Sequence, residues 1–540
     1  YNGEIYNFNE IRSELKKNKY KFFTSSDTEV IIKAFDKWGI NCFKKFDGMW
    51  SIAIYDSKKG ELILSRDIFG EKPLYLFKYL DTLIFGSEIK YIQFLDKSYK
   101  SKIINSEHID TYLKNGYRFL NKSNKTYFKN IFKIDSGTVN IFSLGNLELK
   151  KKIKIINDQF NNKIKISRKD AVNVIKEKVI NSVKTRLISD QPIGYYLSGG
   201  MDTGSITSIS SKILNNKITC FSIVDKDKRY NEEINIDRTA KDIGCKLIKI
   251  KFPNNYNFIN KLDNLIAYHD KPISSLNYYT HSFIHEHVKK NKIKVIISGL
   301  GGDEMFSGYY DHFLMHLREL KSQNFNENFM HWNKHIKPLI HNKNLKNINL
   351  FKNKNNRSYL KTELEKKLVK NIFKIKKIGN FYEENYSRNL LKNRMLNELF
   401  HEQVPLINNE DDMNSMKHSL ENRSPFLNKD LMNFCMSLSS DLFINNGYAK
   451  SLLREAMDGI LNNHVRLDRQ KQGFNSSINS LVSLNTKQTL NFFYKNRYLN
   501  EYINVKKFCN FIKYKRKTNN AESKFIFAIF NIALFLEQHN

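Results

Sequence analysis

The sequence predicts an α+β unit with antiparallel sheets, followed by an α/β unit with a parallel sheet and a helical C-terminal part. Pairs of apolar runs around short turns indicate the first unit, such as 50–55 and 61–66 around a turn that ends at Gly60. Short strand candidates that alternate with helical stretches indicate the second unit, because this alternation favours a parallel, helix-covered sheet. From about Tyr309 the chain becomes helical and rich in Lys.

Length and composition describe a globular chain of several domains. The 540 residues suffice for roughly two to four domains, and 41% of them are hydrophobic. There is no run of about 18 apolar residues, so we expect no transmembrane helix. The five cysteines lie far apart and form no CxxC pair. This disfavours a zinc site or a disulfide framework and fits a reducing, cytoplasmic setting.

The net charge of +34 raises the question of nucleic-acid binding. The basic residues are mostly Lys and are spread along the whole chain beside abundant Asn and Ile. Such a distribution is typical of lysines on solvated faces rather than of one binding surface. We therefore do not expect nucleic acid to be the main partner.

The first segment opens with the string Y-N-G-E-I-Y-N. Asn2 offers a side-chain amide donor beside the flexible backbone N–H of Gly3, a pair that suits an oxyanion hole. An ordinary Asn-Gly turn is the alternative. A helix with Ile11 and Leu15 on its apolar face follows, and a second helix begins near Ser26 with capping-box spacing.

A stretch rich in Lys, Asn and Ile predicts a linker over residues 145–166. It divides a first domain, residues 1–144, from a second domain, residues 167–540. The string S-R-K-D that begins at Ser167 has capping-box spacing and predicts the start of a long helix.

The central motif of the second unit is L-S-G-G-M-D-T-G-S, which begins at Leu197 after a short apolar strand candidate. Its two glycines let backbone N–H groups approach an anion, and the following helix start favours negative charge. Asp202 would repel phosphates unless a divalent cation bridges them. No Lys follows the glycines, so the motif is not the P-loop of common ATPases. An ordinary βα turn is the structural alternative.

A second motif, S-G-L-G-G-D-E, begins at Ser298 and again follows a strand candidate. Ligands bind at the carboxyl ends of the strands in such sheets, where both motifs lie. We therefore predict that Asp202 and Asp303 meet there and share a cation. Two independent turns are the alternative.

Taken together, the motifs resemble those of the glutamine-hydrolysing asparagine synthetases, and the Ser198 loop resembles the pyrophosphate loop of ATP pyrophosphatases. The resemblance covers nearly the whole chain, from Tyr1 to about Gln538. The matching strings occur in the family's order: N-G-E-I-Y-N, S-S-D-T-E-V, F-D-G-M-W, S-R-D-I-F-G-E-K-P-L-Y, F-G-S-E-I-K, the two S-G motifs, E-N-R-S-P-F-L, K-S-L-L-R-E and R-Q-K-Q-G-F.

The resemblance implies a class II glutamine amidotransferase domain of the Ntn-hydrolase type, followed by an ATP-pyrophosphatase domain. In the family, the first domain hydrolyses glutamine, and ammonia passes to the second. There a carboxylate, usually that of aspartate, is adenylated by ATP with Mg²⁺ and then amidated. By resemblance, Asn2, Gly3, Glu4 and Asp27 hold glutamine and its oxyanion. The resemblance leaves open whether the chain forms a homodimer.

The same resemblance assigns residues to ATP and to Mg²⁺. Asp202 and Asp303 would face Mg²⁺ as catalytic groups. Lys450 would stabilise the charge that develops at the α-phosphate, although a solvated helix lysine is the alternative reading. The residues that would handle ATP are Leu197, Ser198, Gly199, Gly200, Asp202, Thr203, Ile223, Ser298 and Gly299.

Two departures from the family bear on function. The family nucleophile is an N-terminal cysteine before the N-G-E motif, and this chain begins at that motif, while Cys42 has no free amine. We expect the amidotransferase domain to be incomplete as given and this polypeptide to use ammonia. Leu300 stands where studied members carry a carboxylate. We therefore also consider a paralogue that amidates another carboxylate, such as a uronic acid. An alternative of a different class is a basic RNA-binding or tRNA-modifying protein.

Overall fold

The computed structural model describes residues 1–156, 160–225, 227, 229–252, 257–320, 322–351, 371–374, 382–470, 476–515 and 517–540. Its first unit contains a five-stranded antiparallel sheet, in the order β1-β2-β3-β7-β8, and a three-stranded antiparallel sheet, in the order β5-β4-β6. The strands are β1 Asn2–Ile5, β2 Gly48–Asp56, β3 Glu61–Arg66, β4 Tyr75–Tyr79, β5 Thr82–Gly86, β6 Ile131–Lys133, β7 Thr138–Ser143 and β8 Leu149–Lys154.

Helices accompany these sheets, and the first two lie where the sequence predicts them. The Ser26 side chain accepts a hydrogen bond from the backbone N–H of Thr28 and so caps the second helix. Ile11 and Leu15 are buried on the first helix. The helices of this unit are α1 Phe8–Lys17, α2 Asp27–Trp38, α3 Cys42–Lys45, α4 Ile89–Leu95 and α5 Ser106–Asn115.

The structure corrects the predicted linker over residues 145–166. Its first part forms strand β8, which pairs with β7 at the edge of the five-stranded sheet. Most side chains of β8 are exposed, and four of its six residues are lysines. An edge strand of this composition has no alternation of apolar and polar residues, so its sequence does not distinguish it from a linker.

The second unit contains a parallel sheet in the order β11-β10-β9-β12-β13, which confirms the predicted α/β class. All four strand pairs are parallel. The Ser198 loop follows the central strand β9, and the Ser298 loop follows the neighbouring strand β12. Because these strands are parallel, both loops lie at the carboxyl ends of the strands. The strands are β9 Ile193–Tyr196, β10 Thr219–Val224, β11 Lys246–Lys251, β12 Val295–Ile297 and β13 Glu421–Arg423.

Strand β13 is not predicted from the sequence. Its three residues are all polar, so neither alternation nor an apolar run marks it. It pairs with β12 and places the E-N-R-S-P-F-L string beside the Ser298 loop.

Helices alternate with these strands along the chain, beginning with α6, which Ser167 caps as predicted. The apolar core is continuous between the units, since Trp50 of β2 and Val179 of α6 belong to one buried cluster. The first helices of the unit are α6 Arg168–Arg186, α7 Met201–Ser208, α8 Glu233–Ile243, α9 Phe258–His269, α10 Leu276–Lys290, α11 Gly302–Phe306, α12 Tyr310–Glu319 and α13 Ser322–His331.

The C-terminal part is helical, as predicted. None of the helices that the structure describes combines the length and apolar character needed to cross a bilayer. Most of the R-Q-K-Q-G-F string, residues 471–474, lies outside the described residues. The remaining α-helices among the described residues are Leu390–Asn397, Gln403–Met416, Lys429–Ser437, Ser451–Ala456, Asn463–Arg466, Ile478–Leu481, Lys487–Lys495, Val505–Lys513 and the buried closing helix Asn520–His539.

Candidate active site

A cavity of about 300 Å³ lies at the carboxyl ends of β9, β10 and β12. Lys450, Asp303 and Leu300 contribute to its walls. The nine residues expected to handle ATP also line it: Leu197, Ser198, Gly199, Gly200, Asp202, Thr203, Ile223, Ser298 and Gly299.

The Ser198 loop is held in a tight turn by its own hydroxyl groups. The backbone N–H of Ser198 donates to Thr203 Oγ1 at 3.0 Å, and that of Gly200 donates to Ser198 Oγ at 3.3 Å. A Cβ on Gly199 would lie 2.8 Å from Glu232 Cβ, so this position requires glycine. The turn brings backbone N–H groups and the start of α7 to the cavity, an arrangement that suits a phosphate group.

Lys450 joins the two S-G loops. Its Nζ lies 2.6 Å from Asp202 Oδ1 and 2.7 Å from Asp303 Oδ1. Burial alone lowers the pKa of this ammonium, but the two carboxylates outweigh burial, and the net pKa is raised. The structure therefore brings together the three side chains that the sequence singles out at positions 202, 303 and 450, with the lysine charged between two carboxylates.

Two glycines permit this close approach. A Cβ on Gly308 would collide with Asp303 Oδ1 and Lys450 Cε and would lie 2.8 Å from Asp303 Cγ. A Cβ on Gly302 would lie 2.5 Å from Asp202 Cγ. Gly308 has no role in the sequence prediction, because its importance depends on neighbours that are distant in the chain.

Glu232 lies behind the Ser198 loop and is also missed by the sequence analysis. Its Oε2 accepts a hydrogen bond from the Gly199 N–H at 3.2 Å. Burial raises the pKa of Glu232 to about 7, although this hydrogen bond acts in the opposite direction. One backbone N–H of the loop that we expect to hold phosphate, that of Gly199, is thus already hydrogen-bonded to a carboxyl group.

Basic side chains border the same cavity. Arg454 and Arg469 line it together with Lys450. The Arg454 Nε donates to the backbone oxygen of Ala449 at 2.8 Å, and the Arg469 guanidinium lies over the Tyr448 ring at 3.8 Å. Arginines fixed in this way present donors to a polyphosphate without a further loss of side-chain freedom.

Leu300 adds an apolar side chain to this cavity. Ile407 lines this cavity too, as do His281 of α10 and Asp411 of the helix Gln403–Met416. The His281 Nδ1 lies 3.2 Å from Asp411 Oδ1.

The residues expected to hold glutamine lie in the first unit, on β1 and α2. Asn2 Nδ2 donates to Ser87 Oγ at 3.2 Å, and Asp27 accepts from the backbone N–H of Ile5 at 3.0 Å. A Cβ on Gly3 would lie 2.8 Å from the Trp50 Cα, so β1 and β2 approach closely there.

Glu4 connects that segment with the second unit. Burial and the nearby Glu421 raise the pKa of Glu4 to about 7, even though Arg423 acts in the opposite direction. Arg423 Nη2 lies 3.5 Å from Glu4 Oε1. The backbone oxygen of Arg423 accepts from the Ser298 N–H at 2.9 Å.

A buried cluster of Asp311, His312 and Glu398 could supply metal ligands by its spacing. His312 Nε2 already lies 2.7 Å from Glu398 Oε2. The Arg394 guanidinium lies 2.9 Å from Glu398 and 3.5 Å from Asp311. These contacts supply the positive charge that the two carboxylates need, so we interpret the cluster as a structural ion-pair network.

Two family models match the chain. The model described as "Asparagine synthase" matches residues 174–534, and that described as "Glutamine amidotransferase domain" matches residues 1–152. The chain belongs to the asparagine synthase family. The resemblance found in the motifs is thereby confirmed, and the models match both units of the fold.

Individual relatives agree with this family. The chain is 32% identical over 313 residues to a candidate glutamine-hydrolysing asparagine synthetase of Methanocaldococcus jannaschii. This alignment covers 58% of this chain and 59% of that relative. It is 26% identical over 495 residues to the glutamine-hydrolysing asparagine synthetase 1 of Bacillus subtilis, and this second alignment covers 88% of this chain and 75% of that relative. The alignment with the first of these relatives thus spans less than two thirds of its length.

Proposed function

We propose that this chain converts a carboxylate into a carboxamide at the expense of ATP. The preferred acceptor is L-aspartate, the product is L-asparagine, and the intermediate is β-aspartyl-AMP. Glutamine or free ammonia supplies the nitrogen. Family membership supports the reaction class, and the cavity at the two S-G loops supports the site.

One observation carries the proposal, namely the Lys450 ammonium between Asp202 and Asp303. An ATP bound across these loops would place its phosphates against a fixed positive charge. When the acceptor carboxylate attacks the α-phosphorus, negative charge accumulates on the departing pyrophosphate. A preorganised ammonium beside that charge stabilises the transition state more than the ground state.

The other residues of the cavity take supporting roles in the proposal. The Ser198 loop binds pyrophosphate through its backbone N–H groups and the start of α7. Leu197 and Ile223 offer apolar contacts for the base, and Ser298 and Gly299 close the opposite side.

Asp202 and Asp303 fit a magnesium site, because both carboxylates contact the same ammonium and so lie close to each other, and hard oxygen donors are what Mg²⁺ prefers. When bound there with ATP, Mg²⁺ would neutralise phosphate charge. Asp202 and Asp303 would orient that site, and Lys450 would remain beside the phosphates.

In the first unit, we propose that Asn2, Gly3, Glu4 and Asp27 hold glutamine. The Asn2 amide and the Gly3 N–H are donors of the kind that stabilise an oxyanion. Glu4 would bind the positively charged amino group of glutamine, and Arg423 would hold the Glu4 carboxylate in place.

The exchange of labelled pyrophosphate into ATP tests adenylation directly. We expect exchange that depends on aspartate, and loss of it in Asp202→Asn and Asp303→Asn, which keep the shape of each side chain. Exchange triggered by a sugar acid and not by aspartate would show that the acceptor is a different carboxylate. Exchange triggered only by tRNA would show that the chain catalyses a different reaction. Wild-type exchange in either variant would contradict the roles of the two aspartates.

A further inference from the structure

The cavity that Leu300 lines also contains an imidazole that contacts a carboxylate. His281 Nδ1 and Asp411 Oδ1 are 3.2 Å apart. The His281 side chain is 20% exposed and the Asp411 side chain is 3% exposed. Both residues line the cavity, and the imidazole is the more exposed of the two side chains.

Asp411 is the middle one of three consecutive buried acids in the helix Gln403–Met416. Its neighbours are paired with lysines: Glu410 with Lys271 at 2.5 Å, and Asp412 with Lys72 at 2.9 Å. A lysine keeps its proton at neutral pH, whereas a histidine gains and loses one there. Glu410 also lies 3.6 Å from His269 Nδ1, but that histidine is fully buried and does not line the cavity. Of these three acids, Asp411 is therefore the one that contacts a histidine of the cavity lining.

The orientation of the pair defines which ring nitrogen can accept a proton. An ionised carboxylate accepts hydrogen bonds and cannot donate one, so the Nδ1 that faces Asp411 carries the hydrogen. The neutral ring then has its lone pair on Nε2. A carboxylate that holds an imidazole in this way also stabilises the imidazolium formed after proton transfer.

The amidation step requires such a group. Ammonia must lose a proton when it becomes an amide nitrogen, and Leu300 cannot accept one. We propose that His281, positioned by Asp411, accepts the proton that ammonia loses when it attacks the acyl-adenylate. This inference rests on the proposed function and adds a catalytic residue and a positioning residue to it.

The step balances without a further reactant. The ammonia nitrogen forms a bond to the acyl carbon, and the bond between that carbon and the phosphate oxygen of AMP breaks. One proton passes from nitrogen to His281 Nε2, and AMP leaves with the bonding electron pair. The imidazolium, held beside the Asp411 carboxylate, then releases its proton to solvent.

Two half-reactions separate this role from adenylation. Pyrophosphate exchange reports adenylation, and amide formation from aspartate, ATP, Mg²⁺ and ammonia reports both steps. In His281→Gln and His281→Ala we expect exchange close to that of the wild type and a loss of amide formation of about 10²–10³-fold, the scale of one general base. His287→Gln is the matched control, since His287 is on the same helix and its Nδ1 contacts the backbone oxygen of Phe283 at 2.9 Å.

Chemical rescue distinguishes a base from a structural side chain. Added imidazole should restore part of the amide formation by His281→Ala, whereas pyrazole, similar in shape but a much weaker base, should not. Asp411→Asn keeps a group that can hold the ring but removes its charge. We expect this variant to lose at least about 10-fold in amide formation, with exchange retained and no rescue by imidazole.

Each outcome bears on one of the two proposals. Absence of exchange in the wild-type chain with every carboxylate tried would overturn the proposed function and this inference together. Exchange in the wild type with undiminished amide formation in both His281 variants would overturn the inference alone. Loss of exchange in both variants, or equal rescue by pyrazole, would also overturn it, because His281 would then act before the ammonia step or only by filling space.

Discussion

Replacing Lys450 with methionine removes the ammonium at the centre of the site and keeps a side chain of similar length. The ammonium lies 2.6 Å from Asp202 and 2.7 Å from Asp303, so Lys450→Met leaves two carboxylates facing one another. Removing one partner of a buried ion pair costs about 3–5 kcal/mol of stability. The two aspartate side chains are 20% and 21% exposed, and because water solvates them in part we expect about 3 kcal/mol, the lower end of the range.

The same substitution should slow adenylation by about 10²–10³-fold, the effect of losing one preorganised stabilising group. The affinity for ATP should change less, because the charge that Lys450 meets develops in the transition state. Pyrophosphate exchange at varied ATP concentration separates the two effects, and thermal unfolding measures stability. Lys507→Met, at an exposed position, is the control. Unchanged turnover with a large loss of ATP binding would show that Lys450 serves binding alone, and an unchanged unfolding midpoint would contradict the ion-pair account.

Two further predictions concern the surroundings of these groups. Gly308→Ala should reduce exchange at least about 10-fold, because its Cβ would push Asp303 away from Lys450; wild-type exchange would show that the site tolerates the displacement. Because burial raises the pKa of Glu232 from 4.5 to about 7, its carboxyl binds a proton more tightly in the folded chain, which loses stability as pH rises between those values. The difference between the thermal unfolding midpoints of Glu232→Gln and the wild type should therefore shift in favour of the variant when the pH is raised from about 5 to about 8. A difference that stays constant over this range would contradict the shifted pKa.

The elements that could be predicted from sequence are those whose pattern is local. Hairpins β2–β3 and β4–β5, the capped starts of α2 and α6, and the two S-G loops each have their signal within about ten residues. Strands β8 and β13 have no such signal, since one is rich in lysine and the other is three polar residues long. Pairing in a sheet, rather than their own composition, gives these two strands their conformation.

The site itself was only partly open to prediction. The loops predict where phosphates bind, but the contact between Lys450 and Asp202 joins residues 248 positions apart, and Lys450 has a left-handed backbone conformation that no motif announces. Glu232 and Gly308 matter because of what packs against them. The run of three acids at 410–412 could have indicated ion pairs with distant residues. These acids lie in a mostly buried helix, and each buried carboxylate requires a partner.

That helix, Gln403–Met416, contacts both units of the chain. Successive residues of an α-helix point about 100° apart, so its three acids face different neighbours. Asp412 forms a buried ion pair with Lys72 of the first unit, whereas Asp411 faces His281 in the cavity of the second. A shift of the first unit would therefore act on the helix one residue away from Asp411, which positions the proposed proton acceptor His281. Because Asp412 is 6% exposed, this ion pair is poorly screened by solvent, and it ties the position of the first unit to the geometry of the proposed amidation site.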